Sequence, residues 1–556
     1  MRITTRVSAF LLAIGLSSLG CEETVREEEP TVTWSGDVRA IVERHCAACH
    51  TTGGSAPFGF ETHEQVAELA PFMLSAMESG RMPPFPADPS CRPYDNEARL
   101  PAADLETFRR WVDEATPEGA ATEPIVVAPI PFTATVTATA ASPYTPDLST
   151  AGDDYHCFIL DLDFVEPTWV TSSNVTPGTP AVHHVLIFAL NSEQSAQAEA
   201  LDAAEAGEGY SCFGGPLPSD GGAMTAASLV SQLASWVPGS EPRILPGEFG
   251  IPINPGSRLV MQVHFSAVGG DPQPDLSALE LGLTQTAPEF NLRTVPLAIP
   301  EIDIPAGATD VTFTKLLTNW SDTPVRVSTL AGHMHLLGDS ISINHVDAGG
   351  EERCGMSIPD WDFDWQLSYL ISDEDPLTLA PLDGLRVRCT YDNSADNQPI
   401  VDGVQQSPRN VTWGEGSLDE MCLVYATVIE PVVDISVGDA GGVCAAANDC
   451  YAASDGSLSA LLACEETSAG CAVCPLQNGT SCGIGPCLFS LASARTCLTD
   501  CVLSVNAFGG SMDRCMRASC GQQWEDMLAC ADPVMQSGSC DANLAAGCDL
   551  VPSEAP

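Results

Sequence analysis

Fourteen cysteines crowd into residues 444–548, out of 23 in a chain of 556 residues, and no feature restricts the fold more. So many thiols do not persist unpaired in a reducing cytosol with any ease, and they point to an oxidising compartment. Runs such as Cys497-Leu-Thr-Asp-Cys501 and Cys515-Met-Arg-Ala-Ser-Cys520 put thiols about one helical turn apart. This stretch has few large apolar residues for a core. Residues 440–556 are therefore expected to be a disulfide-rich helical module. A metal cluster is the rival reading, but no histidine lies there and export favours disulfides. Cys471-Ala-Val-Cys474 has the spacing of a redox pair, with a structural role as the plainer reading.

The beginning of the chain agrees with export. Arg2 and Arg6 precede the apolar run Val7 to Leu16, and Ser17-Ser18-Leu19-Gly20-Cys21 follows. That is the order of a signal peptide, expected over 1–21. Leu19-Gly20-Cys21 resembles a bacterial lipobox, which implies a lipid on Cys21; Ser18 departs from the usual branched residue, and a plain signal peptide is the alternative. No other run approaches the ~18 apolar residues of a spanning helix, so membrane association is expected through the lipid alone. A net charge of −52, with Lys315 the only lysine, argues against nucleic acid and anionic membrane surfaces as partners. Setting aside Cys21, Cys46 and Cys49 leaves an even number of thiols, consistent with full pairing, and Cys91 and Cys354 are possible partners.

Residues 31–118 have a compact helical pattern around Cys46-Ala47-Ala48-Cys49-His50. Two thiols at this spacing can form thioethers to haem vinyl groups, with the adjacent histidine under the iron. Gly80-Arg81-Met82-Pro83-Pro84 can present a thioether from the other side, and residues 104–115 form an amphipathic closing helix. The window resembles a class I-like cytochrome c domain, which implies a covalent haem on Cys46 and Cys49 with His50 and Met82 as axial ligands. Met73 and Met77 compete for the sixth position, although i and i+4 spacing suits core fillers. His45 and His63 are expected to be structural or exposed. A linker is expected over 119–131, where Pro, Glu and Ala dominate.

From residue 132 the texture changes to alternating apolar and polar residues with recurrent Gly, Pro and Asp turns, the pattern of β-sandwiches. Five of the ten histidines fall in three such contexts: His183 and His184, His264, and His333 with His335. On a strand, i and i+2 share a face, so His333 and His335 can reach one metal ion. Neighbours point to opposite faces, so His183 and His184 can share a metal only at a strand end or bulge. Three imidazoles suit a copper that cycles between two oxidation states, and two imidazoles with a thioether favour Cu(I). Met421 supplies a thioether near an apolar strand.

Residues 150–432 resemble the copper type II ascorbate-dependent monooxygenases, the family of peptidylglycine α-hydroxylating monooxygenase and dopamine β-monooxygenase. The resemblance lies in Val182-His183-His184-Val185-Leu186-Ile187-Phe188, Gln262-Val263-His264-Phe265, His333-Met334-His335, Arg388-Cys389-Thr390-Tyr391 and Asp419-Glu420-Met421-Cys422. It implies two mainly-β antiparallel, jelly-roll-like sandwich domains at 132–290 and 291–432. It implies an electron-storing copper on His183, His184 and His264. A second copper, where oxygen reacts, would sit on His333, His335 and Met421 beside Tyr425, with Gln262 near the first site. It also implies disulfides Cys389–Cys422 and Cys157–Cys212. Asp360-Trp361-Asp362-Phe363-Asp364-Trp365-Gln366 looks closer to the dopamine-enzyme branch. The peptide-clamping arginine of the peptidylglycine enzymes is replaced by Ala331, and their substrate-binding asparagine by Leu423. Peptide amidation is therefore not expected, and a less polar substrate is. His156 and His345 match no ligand position and are expected to be structural.

The expected whole is a copper monooxygenase with two copper ions and one covalently attached c-type haem. It would use O2 and electrons from ascorbate or a redox protein to hydroxylate a small organic molecule. The alternatives are a non-catalytic copper and haem electron-transfer protein, and an adhesion protein dominated by its cysteine-rich tail.

Overall fold

The structure, a computed structural model, describes residues 31–432 apart from 53–55, 57, 128–129, 149–152, 214, 219–229, 238–239, 241, 267–271, 402–403, 415 and 417. In the tail it describes residues 450, 453–465, 487 and 495–537. Cys21 and the leader, and Cys471 with Cys474, lie outside the described residues.

The N-terminal unit is helical. Thr62 starts the helix His63–Glu78 with a capping box, its side chain accepting the Gln65 N–H while the Gln65 side chain accepts the Thr62 N–H. This helix and Ala102–Asp113 enclose Trp34, Val38, Val42, Val66, Phe108 and Trp111. Met73 and Met77 are buried in that core, the place their helical spacing implied. His63 donates from Nε2 to the Thr116 carbonyl at 2.8 Å, and His45 pairs with Asp104 at 3.1 Å, so both are structural. Part of the stretch expected as a linker packs back on these helices. Ile125 is buried among them, its N–H donating to Glu61 O at 2.7 Å, and Thr122 accepts the Trp34 indole N–H. Ile125 is the anchor, while its apolar neighbours Val126 and Val127 stay exposed.

The centre of the molecule is two β-sandwiches. In the first, a five-stranded sheet runs Tyr210–Ser211, Asp153–Ile159, Arg258–Ser266, Val182–Leu190 and Ser231–Trp236 in spatial order. Arg258–Ser266 is central and buried on both faces, which its unbroken run Leu259-Val260-Met261 reflects. In the second, Val311–Thr318, Gly384–Tyr391, Gly338–Val346 and Glu352–Ile358 form one sheet. It faces Val325–His333, whose inward residues Val325, Val327 and Leu330 alternate with less buried ones. The two sandwiches share a ten-stranded sheet. Phe249–Ile253 of the first pairs in parallel with Phe290–Ala298 of the second, Phe290 opposite Phe249. The Trp169 indole donates to Asn291 Oδ1 across this junction at 2.8 Å.

The tail carries helices Leu458–Glu465, Arg495–Phe508, Met512–Cys520 and Gln522–Gln536. Disulfides Cys501–Cys515 and Cys497–Cys520 staple two of them side by side, and Cys450–Cys464 and Cys487–Cys530 tie the others. Cys91–Cys354, Cys157–Cys212 and Cys389–Cys422 are disulfides as well. These bonds belong to an oxidising, extracytoplasmic setting. No helix among the described residues is long and apolar enough to cross a membrane.

Candidate metal centres

His183, His184 and His264 meet, and a bulge lets them. Along the pairing of Val182–Leu190 with Arg258–Ser266, Val182 faces Phe265 and His184 faces His264, so the register slips at His183. The extra residue turns the His183 ring onto the face that His184 and His264 already share. The Nδ1 atoms of His183 and His184 lie 3.2 and 3.3 Å from Nδ1 of His264. One ring nitrogen from each residue lies within 4.8 Å of the others.

The surroundings orient this cluster. His264 Nε2 faces Asp153 Oδ1 at 2.9 Å, which leaves Nδ1 for the centre. Tyr155 lies opposite His264 across the sheet and stacks on it at 4.0 Å between ring centroids. Gln262 is buried and donates to Cys212 O at 2.7 Å, fixing the Cys157–Cys212 bridge behind the site. Burial pushes the His184 imidazole down to about 3, with His264, His183 and His333 adding repulsion. Burial also lowers His264. Buried imidazoles held neutral are ready to donate lone pairs to a cation.

The second cluster stands at the end of Val325–His333. His333 and His335 have ring centroids 5.1 Å apart and perpendicular planes. His333 Nδ1 bonds the Gln366 side-chain oxygen, and His335 Nδ1 lies 3.1 Å from Asp419 O. In both rings Nε2 is left for a ligand role. Burial pushes His333 down to about 4, His335 adding to it, and also lowers His335. His333 adds a small part of the repulsion on His184.

Met421 is buried and its carbonyl accepts the Tyr391 hydroxyl at 2.7 Å. The adjacent Cys422 is bridged to Cys389. Leu423 pairs with His333, and Tyr425 pairs with Ala331, on neighbouring strands. The strand pairing thus sets Met421, His333 and Tyr425 along one end of the sheet. In the sequence Glu420 stands out only as part of the Asp419-Glu420-Met421-Cys422 motif. It is fully buried, and its carboxylate accepts N–H groups of His335, Leu337 and Met421 at 2.9, 2.7 and 3.3 Å. Burial pushes it up to about 7 against those three bonds. The signal for it in the sequence is the acidic pair Asp419-Glu420 just ahead of an apolar strand. His156 donates to Glu208 O and His345 pairs with Asp383, both structural.

At the N-terminal motif, Cys46 and Cys49 are free, whereas the other described cysteines are paired. Burial, then Cys49, pushes the Cys46 thiol up to about 12. His50 Nδ1 lies 3.2 Å from Phe58 O, and the ring stacks on Phe60. Met82 is half-buried on the loop that follows His63–Glu78.

Residues 297–437 match the family model for the copper type II ascorbate-dependent monooxygenase, C-terminal domain. That segment holds His333, His335, Glu420, Met421 and Tyr425. The chain is similar to "DBH-like monooxygenase protein 1" of Homo sapiens, 22% identical over 262 residues, covering 44% of this chain and 38% of the relative. The Mus musculus protein of the same name is 23% identical over the same share of each chain. The chain thus spans under two fifths of the length of these relatives. Among solved structures, the major capsid protein P2 from Bacteriophage PM2 overlaps 54% of this chain and 98% of its own. Its 9% identity and TM-score of 0.23 bear on nothing further.

Proposed function

We propose that this chain is an exported copper monooxygenase that carries its own covalent haem. The observation that carries the reading is the bulge at His183, which draws three imidazoles together where a regular strand would separate two of them. The match of residues 297–437 supports copper at the second cluster, His333, His335 and Met421. Copper held by these two residue sets would supply one-electron chemistry for the activation of O2. The balance is one C–H substrate, O2, two electrons and two protons giving an alcohol and water.

This chain's residues do the positioning. Asp153 and Tyr155 hold the His264 ring, and Gln366 and Asp419 hold those of His333 and His335. Glu420 locks the backbone on which His335 and Met421 sit. Ala331 and Leu423 at the substrate side favour a small, weakly polar organic molecule over a peptide carboxylate. Tyr425, paired with Ala331, faces the same end of the sheet.

The N-terminal residues fit a c-type haem. Two free thiols at thioether spacing stand in a chain whose other described thiols are paired, and His50 has Nδ1 engaged and Nε2 free for iron. Met82 would supply a second side-chain ligand to the iron. Haem is a one-electron carrier, and its electrons would replace or relay those of ascorbate. Cys21 would hold the exported protein to a membrane by lipid.

Metal analysis with a pyridine haemochrome spectrum tests the reading, on protein produced with haem-attachment machinery. Two coppers and one covalent haem per chain are expected, with O2-dependent hydroxylation in a screen of small C–H substrates. Haem with copper but no turnover on any substrate would instead mark an electron-transfer protein. Copper absent from both clusters would overturn the proposal.

A further inference from the structure

The loop between helices His63–Glu78 and Ala102–Asp113 leaves its own domain. Phe85, Ala87 and Tyr94 are buried in the core of the second β-sandwich, alongside Tyr369, Leu330 and Met356. The rings of Phe85, Tyr94 and Tyr369 form a triangle with centroids 5.1 to 5.8 Å apart. Arg92, 7% exposed, donates to Asp375 O at 2.6 Å and to Asp375 Oδ2 at 2.9 Å. Backbone bonds run from Asp88 N to Ser357 O and from Asp95 N to Leu370 O. Asn96 exchanges side-chain bonds with the backbone of Ser368 and Leu370. The Cys91–Cys354 disulfide closes the attachment covalently.

Both ends of this attachment lead to redox chemistry. Met82 lies just ahead of Phe85 on one side. On the other, the strand Ser368–Leu370 pairs with Thr329, Leu330 and Ala331 of the strand that ends at His333. Tyr369 is directly opposite Leu330, and Gln366, just ahead of that strand, bonds His333. A surface held by an aromatic cluster, a buried arginine bonded to the exposed Asp375 and a disulfide is fixed rather than transient.

We propose that residues 83–97 are a docking strap that seats the haem-binding domain on the sheet edge carrying His333. Electrons from that domain then enter at the His333, His335 and Met421 site before reaching His183, His184 and His264. This rests on the haem and copper reading above. The first transfer would be one electron from ferrous haem to Cu(II) at the second cluster, leaving ferric haem and Cu(I); the next would pass that electron from this Cu(I) to Cu(II) at the first cluster, with no bond made in either. The strap fixes the donor's position and so removes the search that a separate redox partner would need.

The test uses the full-length, haem- and copper-loaded chain under anaerobic conditions. A photosensitiser injects electrons into the haem. Haem reoxidation is followed by absorbance, and Cu(II) loss by electron paramagnetic resonance. In His264→Ala the fast reoxidation phase is expected to persist, and in His335→Ala to slow at least 10-fold. Tyr369→Leu, and Cys91→Ser with Cys354→Ser, are expected to slow it by a similar factor at unchanged haem and copper content. In the cysteine variant, limited proteolysis is expected to free the N-terminal domain. Reoxidation that survives in His335→Ala and fails in His264→Ala overturns the entry point. An unchanged rate in both strap variants overturns the strap. If the wild-type chain binds haem and copper but its haem is not reoxidised, this inference falls while the metal loading stands. If it binds no haem, the functional reading falls first, and this one with it.

Discussion

The carboxylate of Glu420 accepts the backbone N–H of His335 at 2.9 Å, from the residue next to Met421. A single buried side chain therefore ties the histidine segment to the methionine segment. Glu420→Ala would leave the N–H groups of His335, Leu337 and Met421 buried and unbonded, at about 1–3 kcal/mol for each donor left unsatisfied. Thermal unfolding should show a large loss. If copper binds there as proposed, X-ray absorption of protein that still folds should show loss of the Met421 sulfur from the His333 and His335 cluster, with the three-histidine cluster unchanged. A variant with intact sulfur ligation would mean that Met421 is positioned by the Cys389–Cys422 bridge alone.

Asp153 acts on the first cluster through His264. Its carboxylate fixes the ring so that Nδ1 meets His183 and His184. Asp153→Ala should lower copper affinity at that site by about 10–100-fold and leave the second site unaffected. Competitive copper titration with a chromophoric chelator resolves the two classes. Equal weakening of both sites would point to general unfolding rather than loss of orientation.

The copper-free protein should lose stability as pH falls from about 6.5 toward about 4. Burial first, with neighbouring imidazoles, holds His184 near 3 and His333 near 4, and burial lowers His264 and His335 as well. Unfolded histidines take up protons near pH 6.5, so below that value the unfolded state binds more protons and gains on the folded one. Glu420 works the other way: with burial holding it near 7, it costs stability as pH rises from about 4.5 through 7. Four histidines outweigh one carboxylate, so the melting temperature of the apo-protein should fall between pH 6.5 and 4.5. The fall should be shallower in a His184→Ala, His333→Ala variant. A flat profile in the wild type would contradict the burial of these rings.

The two histidine clusters are partly legible in the sequence because what brings their rings together is local. His333-Met-His335 states its own geometry, since i and i+2 share a face of a strand. The pair His183-His184 posed the opposite problem, and only a bulge resolves it; nothing in the residues marks where a register will slip. Glu420 and Asp153 were invisible as supports because what they hold lies far along the chain: His335 and His264 respectively. Phe85 and Tyr94 were hidden for a related reason. They lie inside the sequence of one domain and in the core of another, and apolar spacing along a loop cannot say whose core it fills. The pairing of Cys91 with Cys354 was the one trace of that contact in the sequence.

The tail should prove part of the second β-sandwich rather than an appendage. Leu503, Ala507 and Phe508 from the helix Arg495–Phe508 are buried in that sandwich's core. Arg293 donates to Asn506 O at 2.6 Å, and Lys315 pairs with Asp500 at 2.8 Å. Gly510 pairs with Trp320 at a φ of +106°, and a Cβ there would come within 2.2 Å of the Trp320 carbonyl. Gly510→Ala therefore meets both a backbone conformation that L residues avoid and a clash with main chain that cannot yield. Phe508→Ala should cost about 3–5 kcal/mol from the cavity it leaves. Because Phe508 packs in the same core as Leu330 and Met334, the loss should reach the second copper site before the first. Hydrogen exchange would show it as faster exchange in Val325–His333 and Leu423–Pro431, with Arg258–Ser266 unchanged. Exchange confined to the tail helices would mean that the module folds on its own and merely rests on the sandwich.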